Sequence, residues 1–395
     1  MNEFDFETPI DRHGTNCIKW DRAGGRFQEK DVLPLWIADT DFACPPAVQE
    51  AIRSRNEHPI YGYGMTPPEF YANFMNWFHD RHEVAIKKEW IQVGTGVVTA
   101  VSYAVQTLTV PGDRVLIQTP VYDPFAAVVN GTGRALVCSP LIFKDNTYIM
   151  DYEALEEEFR SGVRLMILCN PHNPVGRVWT VEELERLAEL CLKYHVYLVS
   201  DEIHADFGLF GHSYVSALRL PELYPLLVCC LAPGKTFNIS GLAISATVIP
   251  DKDLHEQISR QLRSAWLINP SLLGLEAAAA AYGQGSDWMD GQIRYLEGNS
   301  RLVTGRLAAD APHIHPAVHE GTFMMWLDFS DFSMPDDDLS AEIVHTWKLG
   351  MNEGWHYGRG GEHHMRLNIG CSRILLNEAL NRLTAMHRAH FAVEG

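Results

Sequence analysis

Short apolar runs alternate with helix-like segments through the middle of the chain. The runs are apolar on both faces and span residues 114–118, 164–169, 196–200, 226–231 and 244–249. Between them, segments such as 181–194 (VEELERLAELCLKY) have the period of an amphipathic helix, and Thr180 followed by two glutamates indicates a helix start. Buried strands separated by helices predict an α/β fold with a mostly parallel sheet covered by helices.

The pattern changes at both ends of the chain. The first 45 residues have weak periodicity and many turn formers, whereas longer helices and two strands (323–329 and 364–369) appear beyond residue 283. No Ser/Gly linker or internal repeat separates these parts, so we expect interwoven domains rather than domains in series. The predicted parts are an N-terminal arm with part of a small domain (1–45), a large cofactor-binding domain (46–282) and a C-terminal small domain (283–395).

Composition and charge narrow the possible functions. Of 395 residues, 46% are hydrophobic, as in a packed globular protein. The formal charge of −18 argues against nucleic acid and anionic membranes as partners. The start of the chain lacks a signal-peptide pattern and no apolar run reaches membrane-spanning length, which predicts a cytoplasmic protein. The eight Cys include no C-x-x-C pair and are expected to be reduced core thiols.

Polar residues follow several of the predicted strands. In parallel sheets, ligands gather at the carboxyl ends of the strands, so these residues are the first candidates for a site. The candidate motifs are GTGVVT at 94–99, NPHNPVG at 170–176, DEIH at 201–204 and APGKTFN at 232–238.

Two nucleotide-binding interpretations of these motifs fail. The GKT at 234–236 resembles the end of a phosphate-binding P-loop, but position 229, where that loop needs Gly, is Cys. Gly94 and Gly96 do not complete a G-x-G-x-x-G dinucleotide fingerprint, because position 99 is Thr. A hydride-transfer enzyme is therefore disfavoured.

Together the motifs suit pyridoxal 5′-phosphate (PLP). Lys235, after a strand, can form an imine with an aldehyde cofactor, and a buried Asp201 can keep a ring nitrogen protonated. The backbone N–H groups of Gly96, Val97 and Val98, at a predicted helix start, can bind the cofactor phosphate. These are the requirements of PLP catalysis on an amino acid.

The segments NPHNPVG at 170–176, SDEIHAD at 200–206 and KTFNISG at 235–241, in this order, resemble those of the fold type I PLP-dependent aminotransferase superfamily. Within it, the chain resembles the cystathionine β-lyase (C-S lyase) subfamily of the MalY/PatB type. Further similar segments are LWIADTDF at 35–42, YGY at 61–63, GT at 321–322, WLD at 326–328, GWHYG at 354–358 and MRLNIG at 365–370. The resemblance implies a seven-stranded, mostly parallel sheet in the large domain, a smaller α+β domain, and a homodimer with shared active sites.

The resemblance also implies roles for single residues around the cofactor ring. Lys235 would carry the cofactor and act as the base, and Asp201 would pair with the pyridine nitrogen. Asn173 and His204 would contact the phenolic oxygen of the ring, where many relatives place Tyr instead of this histidine. Tyr122 would stack on the ring and assist near the leaving sulfur.

Substrate and phosphate contacts follow from the same resemblance. Arg366, with Asn173 and Ala38, would bind the substrate, the guanidinium holding its α-carboxylate. Tyr63 would reach the phosphate of the neighbouring subunit's cofactor. Relatives usually carry a phosphate-binding Ser three residues before the lysine, whereas this chain has Ala232. The phosphate is therefore expected to be held more weakly, or with help from Thr95, Thr99 or water.

The expected reaction is cleavage of L-cystathionine or another L-cysteine S-conjugate to a thiol, pyruvate and ammonia. An aminotransferase acting on a small amino acid is the alternative enzyme, because both reactions use the same core residues up to removal of the Cα proton. A regulatory protein that uses its PLP domain to bind a transcription factor is the alternative from another class. No metal site is expected, and EHH at 362–364 is interpreted as a solvated loop.

Overall fold

The structure is a computed structural model that describes residues 4–267 and 269–391. The predicted domains also include residues 1–3, 268 and 392–395, which lie outside the described residues. The α-helices are Ile18–Asp21 (α1), Ala23–Phe27 (α2), Pro46–Asn56 (α3), Pro68–His82 (α4), Val97–Leu108 (α5), Pro124–Gly131 (α6), Tyr152–Arg160 (α7), Val181–Tyr194 (α8), Pro233–Thr236 (α9), Lys252–Ser264 (α10), Leu272–Gln284 (α11), Ser286–Asp310 (α12), Asp336–Ala341 (α13) and Arg373–Phe391 (α14).

The strands and the shorter helical turns complete the description. The strands are Leu33–Pro34 (β1), Ile91–Gly94 (β2), Arg114–Ile117 (β3), Ala135–Cys138 (β4), Ile142–Lys144 (β5), Thr147–Ile149 (β6), Val163–Cys169 (β7), Tyr197–Asp201 (β8), Leu227–Leu231 (β9), Ser245–Val248 (β10), His315–Pro316 (β11), Met324–Asp328 (β12), Leu349–Gly350 (β13), Asn352–Glu353 (β14) and His364–Asn368 (β15). Single 3₁₀ turns span Lys88–Trp90, Ala217–Arg219, Pro221–Leu226, Ser240–Leu242, Ser330–Phe332 and Gly354–Tyr357, and a π-helical turn spans Glu342–Thr346.

A seven-stranded sheet forms the centre of the molecule, in the order β2-β10-β9-β8-β7-β3-β4. Strands β9, β8, β7, β3 and β4 are parallel neighbours, and β10 runs antiparallel to both strands beside it. In register, Cys169 lies opposite Asp201, and Asp201 lies opposite Cys230. The carboxyl ends of β7, β8 and β9 therefore meet at one edge, and the predicted seven-stranded α/β sheet is confirmed.

The helix and the helix start predicted from the sequence around residues 180–194 are confirmed. The predicted helix at 181–194 is α8, and Thr180 and Glu183 cap its first turn reciprocally through side chain and backbone. None of the apolar runs in the sequence predicts strands β2 and β4. Strand β4 lies at the edge of the sheet with only Val137 buried, so burial does not impose a continuous apolar run on it.

A second sheet, in the order β11-β12-β15-β14, lies in the C-terminal part. Its strands β12 and β15 confirm the strands expected at 323–329 and 364–369. Strand β1 of the N-terminal region pairs in parallel with β13, so this region packs on the C-terminal part. The domain boundaries stay a prediction. The interpretation of residue 364 as part of a solvated loop is wrong, because His364 begins β15 and stacks on Trp326 with the ring centroids 5.1 Å apart.

The cysteines follow the expectation in part. All eight are free thiols, and five are buried: Cys169, Cys191, Cys229, Cys230 and Cys371. Cys138 is exposed on the edge strand β4, so the core interpretation is wrong for this residue. None of the helices in the described parts of the chain is long and apolar enough to cross a membrane.

Candidate active site

A cavity opens at the carboxyl edge of the central sheet. It is lined by most of the residues predicted from the sequence: Ala38, Gly96, Val97, Val98, Tyr122, Asn173, Asp201, His204 and Lys235. Other residues complete the lining: Thr95, Cys169, Ile203, Ala232, Gly234, Ser240, Ala243 and Ile244. The motifs that lie far apart in the sequence therefore meet in one site, as expected for residues at the ends of neighbouring strands.

Lys235 lies just beyond β9, on the short helix α9, and is partly buried. Its Nζ donates a hydrogen bond to the carbonyl oxygen of Ala38 at 2.5 Å. Burial lowers the pKa of Lys235 to about 8, and the negative charge of Asp39 opposes this shift. At pH 7 about a tenth of an amine with this pKa is uncharged, far more than for an ordinary lysine, which makes it a better nucleophile and base.

Asp201 is the last residue of β8 and is buried. Among the described residues, its carboxylate accepts one hydrogen bond, from the backbone N–H of Ile203 at 3.1 Å. Burial raises the pKa of Asp201 to about 7, although that hydrogen bond and the charge of Lys235 lower it. A buried carboxylate with so few donors is suited to pair with a cationic N–H of a ligand.

His204 is buried beside this carboxylate and lacks a partner for Nδ1 among the described residues. Burial lowers the pKa of His204 to about 3, and the charges of Lys235 and Arg366 act in the same direction. The ring is therefore neutral and meets Phe323 edge-on, with centroids 5.6 Å apart. It can exchange a single hydrogen bond with a ligand in the cavity.

Arg366 lies on β15, and its side chain is buried. Its Nη1 donates to Oδ1 of Asn173 at 3.1 Å, its Nη2 donates to the carbonyl oxygen of Trp36, and its Cζ lies 5.2 Å from the centre of the Tyr357 ring. Its Nε has no partner, and no carboxylate in residues 4–267 or 269–391 forms an ion pair with it. A buried guanidinium without a protein anion is suited to bind a ligand carboxylate.

The segment 36–42 covers the site from the N-terminal region. Two asparagine side chains hold it: Asn368 donates to the carbonyls of Ile37 and Asp39 at 2.6 and 2.7 Å. Asn238 donates to the carbonyls of Thr40 and Phe42 at 3.0 and 2.7 Å. The sequence marks this segment only through its family resemblance, because carbonyl groups held by distant amides leave no local pattern.

The two tyrosines predicted for the site lie in different surroundings. Tyr122 lines the cavity, and burial raises its pKa to about 12 with help from the charge of Asp201, so the phenol stays protonated. Tyr63 is 94% exposed and is not among the cavity-lining residues. Its predicted contact with a neighbouring subunit's cofactor stays a prediction.

The start of α5 faces the same cavity. Gly96 is the residue before the helix, and within residues 4–267 and 269–391 no side chain caps the first turn. The first N–H groups of the helix are thus available to an anion. Of the two threonines expected to assist, Thr95 lines the cavity and Thr99 does not. Ser240 also lines the cavity; it lies in the KTFNISG segment of the family resemblance, but the sequence predicts no role for it.

Comparison with known proteins gives a consistent result over nearly the full chain. The family model described as aminotransferase class I and II matches residues 30–383. Cystathionine beta-lyase PatB of Bacillus subtilis is 40% identical over 382 residues, which cover 96% of this chain and 99% of PatB. Protein MalY of Escherichia coli is 33% identical over 391 residues, which cover 98% of this chain and 99% of MalY.

A solved structure agrees in the fold as well as the sequence. Cystalysin from Treponema denticola, whose crystal structure contains a pyridoxal 5′-phosphate cofactor, superposes with a TM-score of 0.93 at 32% identity. The match covers 97% of this chain and 98% of cystalysin. On the family match and these full-length similarities, the chain belongs to the aminotransferase class I and II family.

Proposed function

We propose that the protein is a PLP-dependent carbon-sulfur β-lyase that cleaves L-cystathionine or a related L-cysteine S-conjugate to a thiol, pyruvate and ammonia. The name of PatB, a cystathionine beta-lyase, supports this activity. The observation that carries the proposal is the position of Lys235, a partly buried amine of lowered pKa in one cavity with Asp201 and the first turn of α5.

The residues present fit PLP. The free N–H groups at the start of α5 can bind a phosphate. The carboxylate of Asp201, which accepts one hydrogen bond among the described residues, can pair with a protonated ring nitrogen. Nδ1 of His204, which has no hydrogen-bond partner among the described residues, can bind a ring oxygen. Lys235 is the amine that would hold the aldehyde carbon. When bound, PLP supplies an electron sink that stabilises negative charge at the substrate Cα.

The side chains of the chain divide the remaining work. Arg366 binds the substrate α-carboxylate, with Asn173 hydrogen-bonded to it and Ala38 in the same cavity as Asn173, and so fixes the orientation of Cα. Lys235 removes the Cα proton, for which its pKa of about 8 is appropriate near neutral pH. Tyr122, protonated because its pKa is raised to about 12, can donate a hydrogen bond to the departing sulfur. Asp201 would hold the ring nitrogen of the bound cofactor in its charged form.

A homodimer with shared sites is part of the proposal. Tyr63 lies in an exposed stretch that also contains Ile60, Tyr61 and Met65, which are 65%, 55% and 82% exposed. So many exposed large apolar side chains in one segment favour burial against a second copy. Sedimentation analysis is expected to give a dimer, and a monomer that retains full activity would contradict the shared site.

The direct test is product analysis with purified holoenzyme. Incubation with L-cystathionine alone is expected to release thiol, pyruvate and ammonia in equal amounts. A requirement for an added keto acid, with a new amino acid as product, would instead establish an aminotransferase. Lys235→Ala is expected to lose the activity, whereas Lys193→Ala, at an exposed lysine paired with Glu156 at 2.6 Å, is expected to retain it.

A further inference from the structure

Three chain segments meet at the end of the cavity where α5 begins. Residues 95–98 follow β2, residues 240–244 precede β10, and residues 232–235 follow β9. Gly94 lies opposite Ser245 in one strand pair, and Ala246 lies opposite Leu231 in the next. These pairings bring all three segments to the same edge of the sheet, around the first turn of α5.

The segment before Lys235 lacks side-chain donors for an anion bound there. Ala232 has only a methyl group, Pro233 has no N–H group, and Gly234 has no side chain. A side-chain hydrogen bond to an anion from this side of the site therefore depends on a donor from another segment.

Ser240 lies where a side chain of residue 234 would point. A Cβ built on Gly234 would be 2.9 Å from Oγ and 3.2 Å from Cα of Ser240. This is tighter than ordinary van der Waals contact, so the serine hydroxyl occupies the space that the glycine leaves open. The hydroxyl of Ser240 thus fits into the space left by the missing side chain of Gly234.

The hydroxyl of Ser240 is free, while its backbone is held. Ser240 is exposed, and among the described residues its Oγ forms no hydrogen bond with any neighbour. The residue begins a 3₁₀ turn, and the preceding Ile239 donates its N–H to the carbonyl oxygen of Gly234 at 2.9 Å. The turn therefore keeps Ser240 beside residue 234, and the side chain lines the cavity.

We propose that Ser240 donates a side-chain hydrogen bond to the cofactor phosphate and replaces the hydroxyl that Ala232 and Gly234 lack. This inference rests on the proposed PLP-dependent function and adds a phosphate ligand to it. The phosphate is then held by the first N–H groups of α5 on one side and by Ser240 on the other, with Thr95 close to the helix start.

The test compares PLP with pyridoxal, which lacks the phosphate. Apoprotein is titrated with each, and the dissociation constant is read from quenching of tryptophan fluorescence. Ser240→Ala is expected to weaken PLP binding by about tenfold or more, as for loss of one hydrogen bond to a charged group, and to leave pyridoxal binding unchanged. The matched control is Ser264→Ala, at an exposed serine on α10, which is expected to change neither value.

A second variant supplies the hydroxyl from the other position. In the S240A background, Gly234→Ser places a side chain in the space that the Ser240 hydroxyl vacates. Its Cβ would still lie 3.2 Å from Cα of residue 240, so circular dichroism first checks that the double variant is folded. The folded double variant is expected to regain PLP affinity, and a folded double variant that binds PLP as weakly as S240A would overturn the assignment.

The remaining outcomes separate this inference from the proposed function. Unchanged PLP affinity in S240A, or an equal loss of PLP and pyridoxal affinity, would overturn the role of Ser240 and leave the lyase proposal intact. A wild-type apoprotein that binds neither compound would overturn both.

Discussion

Two buried carboxylates, one at the cavity wall and one in the core directly behind it, differ in the number of hydrogen bonds they accept. Asp201 and Glu202 are adjacent and both buried, yet Asp201 accepts one hydrogen bond, from the N–H of Ile203. The Glu202 carboxylate accepts hydrogen bonds from several donors: Ser200 Oγ, Ser216 Oγ, the N–H of Ala217, Tyr214 Oη and Cys229 Sγ. Since buried charge is unfavourable without partners, the poorly partnered carboxylate is the one expected to be completed by a ligand.

The basic residues show the same contrast. Lys19 is fully buried and forms an ion pair with Asp41 at 2.7 Å, whereas Lys235 donates only to a backbone carbonyl among the described residues. Buried Arg177 pairs with two carboxylates, at 2.8 and 2.7 Å, whereas Arg366 pairs with none in the described parts of the chain. These charged groups of the core are paired within the described parts of the chain, whereas the charged groups proposed to act at the site are left for a ligand.

Asp201→Asn should have the largest effect on activity. Loss of the carboxylate proposed to lie opposite the ring nitrogen is expected to lower kcat about 100- to 1,000-fold, because the amide cannot stabilise a cationic ring. Pyruvate release at saturating cystathionine measures this, and circular dichroism checks that the variant is folded. Near-normal kcat in the folded, cofactor-loaded variant would remove Asp201 from the site.

Glu202→Gln should give the opposite result. The amide group cannot accept hydrogen bonds through its nitrogen, so donors from the core are left unpaired and the free energy of unfolding should fall by about 3 kcal/mol. Activity of the folded protein should stay close to that of the wild type. Urea unfolding and pyruvate release on the same sample measure the two quantities, and a stable but inactive variant would break the contrast with Asp201.

The pH dependence of apoprotein stability gives a further test of the difference between Asp201 and Glu202. The folded pKa of Asp201, about 7, lies above its ordinary value of 3.8, so the native state holds the proton more tightly than the unfolded chain. The contribution of Asp201 to the free energy of unfolding is therefore fully present below the unfolded pKa and is lost as pH rises through about 7. Between pH 5 and pH 8 this loss is about 3 kcal/mol.

Asp201→Asn removes this contribution. The decrease in unfolding free energy between these two pH values should be smaller in the apoprotein of the variant than in that of the wild type. Parallel decreases in the two proteins would show that Asp201 is ionised throughout this range.

Arg366→Lys tests the difference between Arg366 and Arg177, and its expected effect is smaller than those of the Asp201 and Glu202 variants. Lysine keeps the positive charge but loses the planar fork, so KM for cystathionine should rise about tenfold or more with a smaller change in kcat. The matched Arg177→Lys should lower the melting temperature and leave KM unchanged, because its partners are Glu183 and Glu320. An unchanged KM in R366K would place the substrate carboxylate elsewhere.

The sequence predicts the part of the site that depends on strand ends. Lys235, Asp201 and Asn173 each lie at or after a strand of the central sheet, where a buried apolar run gives way to polar residues. The apolar runs also locate their strands to within about two residues, because burial on both faces forces this composition. The seven-stranded sheet follows from the family resemblance, since two of its strands leave no such run.

Features that depend on tertiary contacts do not follow from the sequence. Asp201 and Glu202 are two adjacent acids in the motif, and only the donors that surround Glu202, from three other parts of the chain, distinguish them. Ser240 lies five residues beyond Lys235 on a 3₁₀ turn, and its place in the site follows from the space beside Gly234.

Identification of the lysine that carries the cofactor is the most direct test of whether the poorly partnered groups are the functional ones. Holoenzyme is reduced with borohydride, which fixes the cofactor covalently, then digested and mapped by mass spectrometry. The modification is expected on the peptide that contains Lys235, while Lys19 stays unmodified in its ion pair with Asp41. Cofactor fixed to Lys19 or to any lysine other than Lys235 would contradict the contrast drawn here.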